Sequence, residues 1–458
     1  MNILCNPQDI IIESTTDDIS SHAGLCAINK ILSNCPSIGD IDDNELKNNS
    51  LKKRILDSTI VKATIGMLCV GKTNFSDIEV LNKDTLFNYL IDGKNISEET
   101  LRQRLDLLSK QEGIQERIDD ILIDILKMSN FSKVNYAGKE YIPVDIDVTP
   151  FENSNCKKEG IEYTYKKYYG YAPIMSYVGG VALKFELRPG SQHSEKGAPE
   201  FLKRCFEIIK SSGINLSEII VRADSAHDAV QFLKMCEEYN VKFIIKCNNR
   251  GAKEYTSNNA IERAKLMKIN PKKSKHIKGK IYYRYYVDDK PKVLKKFDDI
   301  YKVVEAIEYT CNEYGQLYLK GVMPCEVNCF WSNLEYKRLE EIIKLYHDHA
   351  TSEQYHSELK SDMYIEKLPS GKFKTNYLIL QIAAISFAIL RMIGNIAIKE
   401  DKSYQHHKDK ITKRIRLRTV IQDFCYLACK IVRHARRVFL KICDIDILKT
   451  FKIIYNRC

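Results

Sequence analysis

The stretch from Tyr346 to Lys360 reads Tyr-His-Asp-His-Ala-Thr-Ser-Glu-Gln-Tyr-His-Ser-Glu-Leu-Lys. On a helix advancing about 100° per residue, Tyr346, His349, Glu353 and Lys360 fall within an arc of about 60°, while Asp348, Glu358 and Asp362 point away. One carboxylate then shares a face with a phenol and with two groups that are, or can become, cationic. Such a face suits a phosphate held through a metal ion. The carboxylate grips the cation and the other groups reach phosphate oxygens.

Two further carboxylates sit where strands should deliver them. In Ser217-Glu218-Ile219-Ile220-Val221-Arg222-Ala223-Asp224-Ser225-Ala226-His227 a β-branched run stops abruptly at Asp224. That pattern predicts a buried strand presenting a carboxylate at its C-terminal edge, where α/β sheets bind ligands. The same aspartate could instead cap the next element, a helical pattern from Asp228 to Tyr239, before a short apolar strand from Val241 to Lys246. In Tyr141-Ile142-Pro143-Val144-Asp145-Ile146-Asp147-Val148-Thr149 apolar residues alternate with Asp145 and Asp147, so a period-2 strand puts both carboxylates on one face. Side by side they repel and lose hydration unless a cation or a proton joins them, and a metal site is the economical explanation.

The spacing Tyr346-x2-His349-x3-Glu353-x6-Lys360 resembles the Tyr-x2-Arg-x3-Glu-x6-Lys signature of the DDE transposases of bacterial insertion sequences, with His349 in the arginine's place. Asp147-Val148-Thr149 is similar to the Asp-x-Thr or Asp-x-Ser of their first catalytic position, which leaves Asp145 as a neighbour or an alternative ligand. Tyr169-Gly170-Tyr171-Ala172-Pro173, Glu186-Leu187-Arg188-Pro189-Gly190-Ser191-Gln192-His193 and the helix-like Pro199 to Lys210 extend the resemblance over roughly residues 135 to 395.

The resemblance implies an α/β fold with an RNase H-like catalytic core. Residues 136–248 and 335–398 would form that core, with a helical DNA-binding region over 1–135, a β-rich insertion over 249–334 and a basic helical region over 399–458. Asp147, Asp224 and Glu353 would hold two Mg²⁺ or Mn²⁺ ions for cleavage and strand transfer of double-stranded DNA at terminal inverted repeats and in the target. Tyr346, His349 and Lys360 would position phosphates, and a homodimer would form in the end complex. An arginine at position 349 would stay charged, whereas an imidazole of ordinary pKa about 6.5 grips phosphate fully only when protonated. A catalytically inactive DNA-binding derivative and an RNase H-like nuclease that cannot join strands are the alternative readings.

Composition agrees. The chain has 458 residues, with 71 Lys+Arg against 60 Asp+Glu and a formal net charge of +11, which favours a polyanionic partner. Its 15 cysteines include no Cys-x2-Cys pair and read as reduced thiols of a cytoplasmic protein. The start, Met1 to Asp18, lacks the basic-then-apolar pattern of a signal peptide. Tyr377 to Ile398 is apolar, but Gln381, Arg391 and Asn395 interrupt it, so it reads as a buried helix and no membrane partner is expected. Gly66-Met67-Leu68-Cys69-Val70-Gly71-Lys72-Thr73 fits the phosphate-loop expression Gly-x4-Gly-Lys-Thr. Its four middle residues are bulky, however, and Asn74-Phe75-Ser76-Asp77 is a poor helix start. The expected structure is a core helix ending near Gly71, with no nucleotide bound.

Three peripheral features complete the reading. Ser97-Glu98-Glu99-Thr100-Leu101-Arg102-Gln103-Arg104-Leu105, after a turn at Asp92-Gly93-Lys94-Asn95, predicts a capped helix whose Arg102 and Arg104 could read DNA from a helix-turn-helix. The segments Tyr282–Val287, Tyr301–Tyr309 and Gln316–Met323 alternate like strands, and Trp331 beyond them is a candidate for stacking on a base, or for packing. Lys413-Arg414-Ile415-Arg416-Leu417-Arg418 and Arg433-His434-Ala435-Arg436-Arg437 suggest helices with basic faces.

Overall fold

A computed structural model of the chain describes residues 12–42, 55–248, 338–401 and 414–458, with 262, 272–276, 279–288, 299–309, 311–312, 314, 316–319 and 325–335 between them. Lys413, part of the Gln316–Met323 segment and the first residues of the chain lie outside the described residues.

The fold is mixed α/β, with one large sheet and many helices. The strands are β1 (Ile19–Ser20), β2 (Val134–Tyr136), β3 (Lys139–Val148), β4 (Phe151–Glu152), β5 (Glu162–Tyr163), β6 (Tyr169–Tyr171), β7 (Ile174–Val178), β8 (Val181–Glu186), β9 (Ile219–Ala223), β10 (Lys242–Lys246), β11 (Lys272–His276), β12 (Gly279–Asp288), β13 (Tyr301–Tyr309), β14 (Cys325–Ser332), β15 (Cys429–His434) and β16 (Arg437–Ile442). The large sheet runs β11-β12-β13-β14-β10-β9-β3-β7-β8, with β2 added beside β3. Strands β3, β9 and β10 are parallel to one another; β7 returns antiparallel to β3, and β8 antiparallel to β7. The strands read from the β-rich segment do not stand apart, because β14 pairs with β10 and carries β11 to β13 onto the same sheet.

The helices are α1 (Gly24–Ser33), α2 (Asp57–Cys69), α3 (Asp77–Leu81), α4 (Thr85–Leu90), α5 (Glu98–Leu108), α6 (Ile114–Met128), α7 (Ala198–Ser211), α8 (Val230–Glu238), α9 (Leu339–His347), α10 (Thr351–Ser357), α11 (Phe373–Glu400), α12 (Leu417–Val420) and α13 (Ile445–Arg457). Helix α11 is long and apolar enough to cross a membrane, but nearly all of its most apolar stretch is buried in the protein, and the helix packs against β8, α2, α6 and α13. It is the expected buried helix. One continuous apolar cluster runs from Ala23 through α11 to Cys458, so the N-terminal helices share their core with the sheet.

The phosphate-loop expression falls where expected. Helix α2 ends at Cys69, and Gly71 turns at φ +65°. The Lys72 amide donates back to the Met67 carbonyl, as at a helix C-terminus, so these residues form no phosphate cradle.

The basic C-terminal clusters differ from expectation. Arg433 to Arg437 is not helical; it closes the β15–β16 hairpin, with Ala435 and Arg436 both at positive φ as a two-residue turn requires. Flanking Val432, Val438 and Phe439 are strand formers, and that preference wins over the charge pattern. Arg414, Arg416 and Arg418 turn inward to the buried Glu358 and Asp362.

Candidate active site

Register brings the first two carboxylates together. Ile146 of β3 pairs with Ala223 of β9, so Asp147 and Asp224, each one residue further along parallel strands, emerge side by side at the carboxyl edge of the sheet. Asp147 takes the amide of Val148 at 2.7 Å. Asp224 caps the short turn Ser225–His227, accepting from the Ala226 amide and facing the Nδ1 of His227, both at 3.0 Å. The edge reading of Asp224 therefore fits, whereas the helix that follows is not capped by it: Asp224 caps only the short turn, and α8 begins after Ala229 with no side-chain cap.

The third carboxylate arrives on an irregular helix. Helix α9 runs into a tight turn at Asp348–Ala350, α10 comes next, and a wider π-type turn spans Glu358–Asp362. These changes of pitch break the single face expected from a uniform helix. Glu353 and Lys360 line an open cleft of about 580 Å³ together with Asp147, Asp224, Tyr165, Lys166 and His356. Tyr346 packs on Phe330 with ring centres 4.6 Å apart, and burial together with Asp224 and Asp147 raises its phenol pKa. His349 turns inside: it is 7% exposed, and its Nδ1 lies 2.7 Å from Asp145. It is held by a carboxylate and not displayed toward the cleft.

Of the two readings of Asp145, neighbour or alternative ligand, its surroundings favour the neighbour. Both of its oxygens take hydrogen bonds of 2.7 Å from Arg222, its register partner on β9, and it is 1% exposed. Burial works to raise its pKa, but Arg222 and His349 more than offset this and hold it below the usual range. The cation that lets two carboxylates share this strand face is therefore a guanidinium in the case of Asp145, leaving Asp147 to the cleft.

Asp147 is the electrostatically poised member. Burial first, and the neighbouring Asp224 second, push its pKa up to about 6. Burial also acts to raise Asp224, but the hydrogen bond and charge of His227 prevail and lower it. Two adjacent carboxylates that disfavour each other's charge, in a cleft with a third, make an all-oxygen donor set of the kind that hard divalent cations take. The residues fit such ions in kind, although among the described residues no three His, Cys, Asp or Glu side chains close on one point.

The remaining candidates lie elsewhere. Trp331 is 7% exposed on β14, its indole N–H donates to Asp228 at 2.9 Å, and it packs in the core, where no base can stack on it. The expected helix and turn are present as α4, Gly93 at φ +69° and α5 capped by Ser97. Arg102 is engaged by Glu99 of its own helix, while Arg104 reaches back to Asp57 and the Ile55 carbonyl, so Arg104 serves the fold. Sequence reading passed over His227 and His356. Each sits three residues after a site carboxylate; His227 faces Asp224, and His356 lies 3.5 Å from Asp147. Burial, with Lys360 and His349, drives His356 down to about 3, so it stands neutral beside Asp147. The i, i+3 spacing was the available signal.

The model of the transposase DDE domain group 1 family matches residues 4–451. No curated protein matches in sequence. Among solved structures, piggyBac transposase in a synaptic complex with hairpin DNA is similar at 11% identity and a TM-score of 0.41, covering 90% of this chain and 82% of that one. With the family model spanning nearly the whole chain, the protein belongs to the DDE transposases, a family of enzymes that cleave and transfer DNA strands.

Proposed function

We propose that this transposase mobilises an element of the bacterial insertion-sequence type, binding its terminal inverted repeats and cutting and rejoining strands with Asp147, Asp224 and Glu353 as the catalytic carboxylates. The juxtaposition of Asp147 and Asp224 at the ends of β3 and β9, with Glu353 in the same cleft, carries the reading. The strand order β8-β7-β3-β9-β10, three antiparallel strands followed by two parallel to β3, supports an RNase H-like core.

The three carboxylates would hold two Mg²⁺ or Mn²⁺ ions, which supply an activated water or 3′-hydroxyl and neutralise charge on the phosphodiester. Lys360 and Lys166 line the same cleft and would meet the phosphates on either side of the scissile one. Neutral His356 and the capped geometry of Asp224 would fix the two aspartates while the phosphate is drawn in.

Asp147→Asn, Asp224→Asn and Glu353→Gln should each reduce Mg²⁺-dependent cleavage of end-bearing DNA at least about a hundredfold, while affinity for the same DNA changes little. Cleavage at the wild-type rate by any one of them removes that residue from the site. Cleavage without strand joining by the wild type would favour the nuclease reading.

A further inference from the structure

Helix α10 and the wide turn after it have two working sides. Toward the cleft they present Glu353, His356, Ser357, Lys360 and Ser361. One row over stand Gln354, Glu358 and Asp362, each four residues from the last. Glu358 and Asp362 are 1% and 4% exposed, and they are the first and last residues of the π-type turn, whose Met363 amide reaches five residues back to the Glu358 carbonyl at 3.1 Å. A turn of this pitch is rare and needs something to hold it.

The holder is a strap formed by residues 414–418. Arg414 pairs with Glu358 and donates to Gln354 at 2.5 Å, its guanidinium carbon 5.1 Å from the centre of the Tyr355 ring. Arg416 forks onto both oxygens of Asp362 at 2.8 and 3.0 Å and reaches Ser357 at 3.3 Å. The amide of Arg418, in the first turn of α12, donates to Asp362 at 3.1 Å. Arg391 of α11 fixes the strap in its turn, pairing with Glu358 and donating to the Ile415 carbonyl at 2.7 Å. Guanidinium groups thus grip both ends of the wide turn from behind. Its middle residue, Lys360, lies on the other side, in the cleft, with its Nζ donating to the Pro150 carbonyl at 2.5 Å.

Resting on the proposed strand cleavage in that cleft, we propose that Arg414 and Arg416 are positioning residues: by holding Glu358 and Asp362 they keep the turn wide and Lys360 aimed at a phosphate beside the scissile one. Without Arg416, Asp362 is a buried carboxylate that has lost its forked partner. Closing the turn to ordinary pitch then rotates the residues that follow by about 100° around the helix axis and carries Lys360 away from the cleft. The strap acts on the reaction through Lys360 and touches no reacting atom.

The test is a double-mutant cycle on single-turnover cleavage of end-bearing duplex DNA, at saturating DNA and Mg²⁺, with the wild type, Arg416→Gln, Lys360→Gln and the double variant. Arg416→Gln should slow cleavage about tenfold when Lys360 is present and less than about twofold when it is already glutamine. A merely structural arginine would slow both backgrounds alike, and that result overturns the inference, as does a wild-type rate in Arg416→Gln. Affinity for the same DNA in EDTA should change less than about twofold; a tenfold loss would mean that Arg416 grips DNA itself, which also overturns it. Arg416→Lys keeps the charge without the fork, should recover part of the rate, and carries the same cycle if Arg416→Gln does not fold. A wild type that cleaves no end-bearing DNA, or a Lys360→Gln variant as fast as the wild type, overturns the proposed role of the cleft and the strap's with it; equal slowing in the two backgrounds overturns the strap alone.

Discussion

Arg222 and Asp145 stand opposite one another on adjacent parallel strands and meet through two hydrogen bonds of 2.7 Å, both side chains almost wholly excluded from water. The guanidinium also donates to the Leu345 carbonyl, and His349 completes the shell around the carboxylate. One buried ion pair thereby ties β3, β9 and the helix carrying Glu353 into a fixed relation.

Breaking that pair should be costly, because the surviving partner would be a buried, unpaired charge. Arg222→Met is expected to lower unfolding free energy by about 3–5 kcal/mol in urea titration, and Asp145→Leu comparably. The double variant should recover much of the loss, which strict additivity of the two single losses would contradict.

Asp147 should behave oppositely. Its pKa of about 6 lies above the ordinary 3.8, so folding favours the protonated form. That contribution is fully present below about pH 4 and is lost as pH rises through about 6, leaving a charged carboxylate that costs stability at neutral pH. Asp147→Asn should therefore stabilise metal-free protein at pH 7.5 by about 1–3 kcal/mol, and the gap should shrink below about pH 4. Mg²⁺ should raise the melting temperature of the wild type more than that of the variant. Equal melting of both proteins at pH 7.5 in EDTA would remove the repulsion argument.

At position 349 the geometry changes what to expect of pH. Because the imidazole is bonded to Asp145 inside the protein, His349→Ala should cost roughly 1–3 kcal/mol of stability through the lost hydrogen bond. The pH profile of DNA affinity between about 6 and 8 should match that of the wild type. A variant that selectively loses affinity at the acid end would restore a direct phosphate role.

Lys72 closes a helix. At constant Mg²⁺, ATP should leave the melting temperature unchanged, in the wild type and in Lys72→Ala alike. An ATP-dependent rise abolished by the substitution would show a nucleotide site where the backbone shows none.

Much of the site was legible because strands advertise themselves locally. The β-branched run before Asp224 and the alternation around Asp147 needed no tertiary knowledge. Choosing between Asp145 and Asp147 did need it: the choice depends on Arg222 standing in register from a strand 77 residues away in sequence. His349 was misplaced because the tight turn at Asp348–Ala350 and the wide turn at Glu358–Asp362 shift the helical phase, and neither carries a local residue signal. The Arg433–Arg437 cluster was misread because Ala435-Arg436 is not a favoured pair for a two-residue turn.

Helix α11 touches the N-terminal helices, the sheet edge at β8 and the C-terminal helix at once, through one uninterrupted apolar cluster. Shuffling the N-terminal helices between relatives as a cassette would therefore open a seam along this helix. A chimera that keeps its solubility would have to inherit α11 together with the helices it supports, so the N-terminal helices would travel with the sheet and not as a separable cassette.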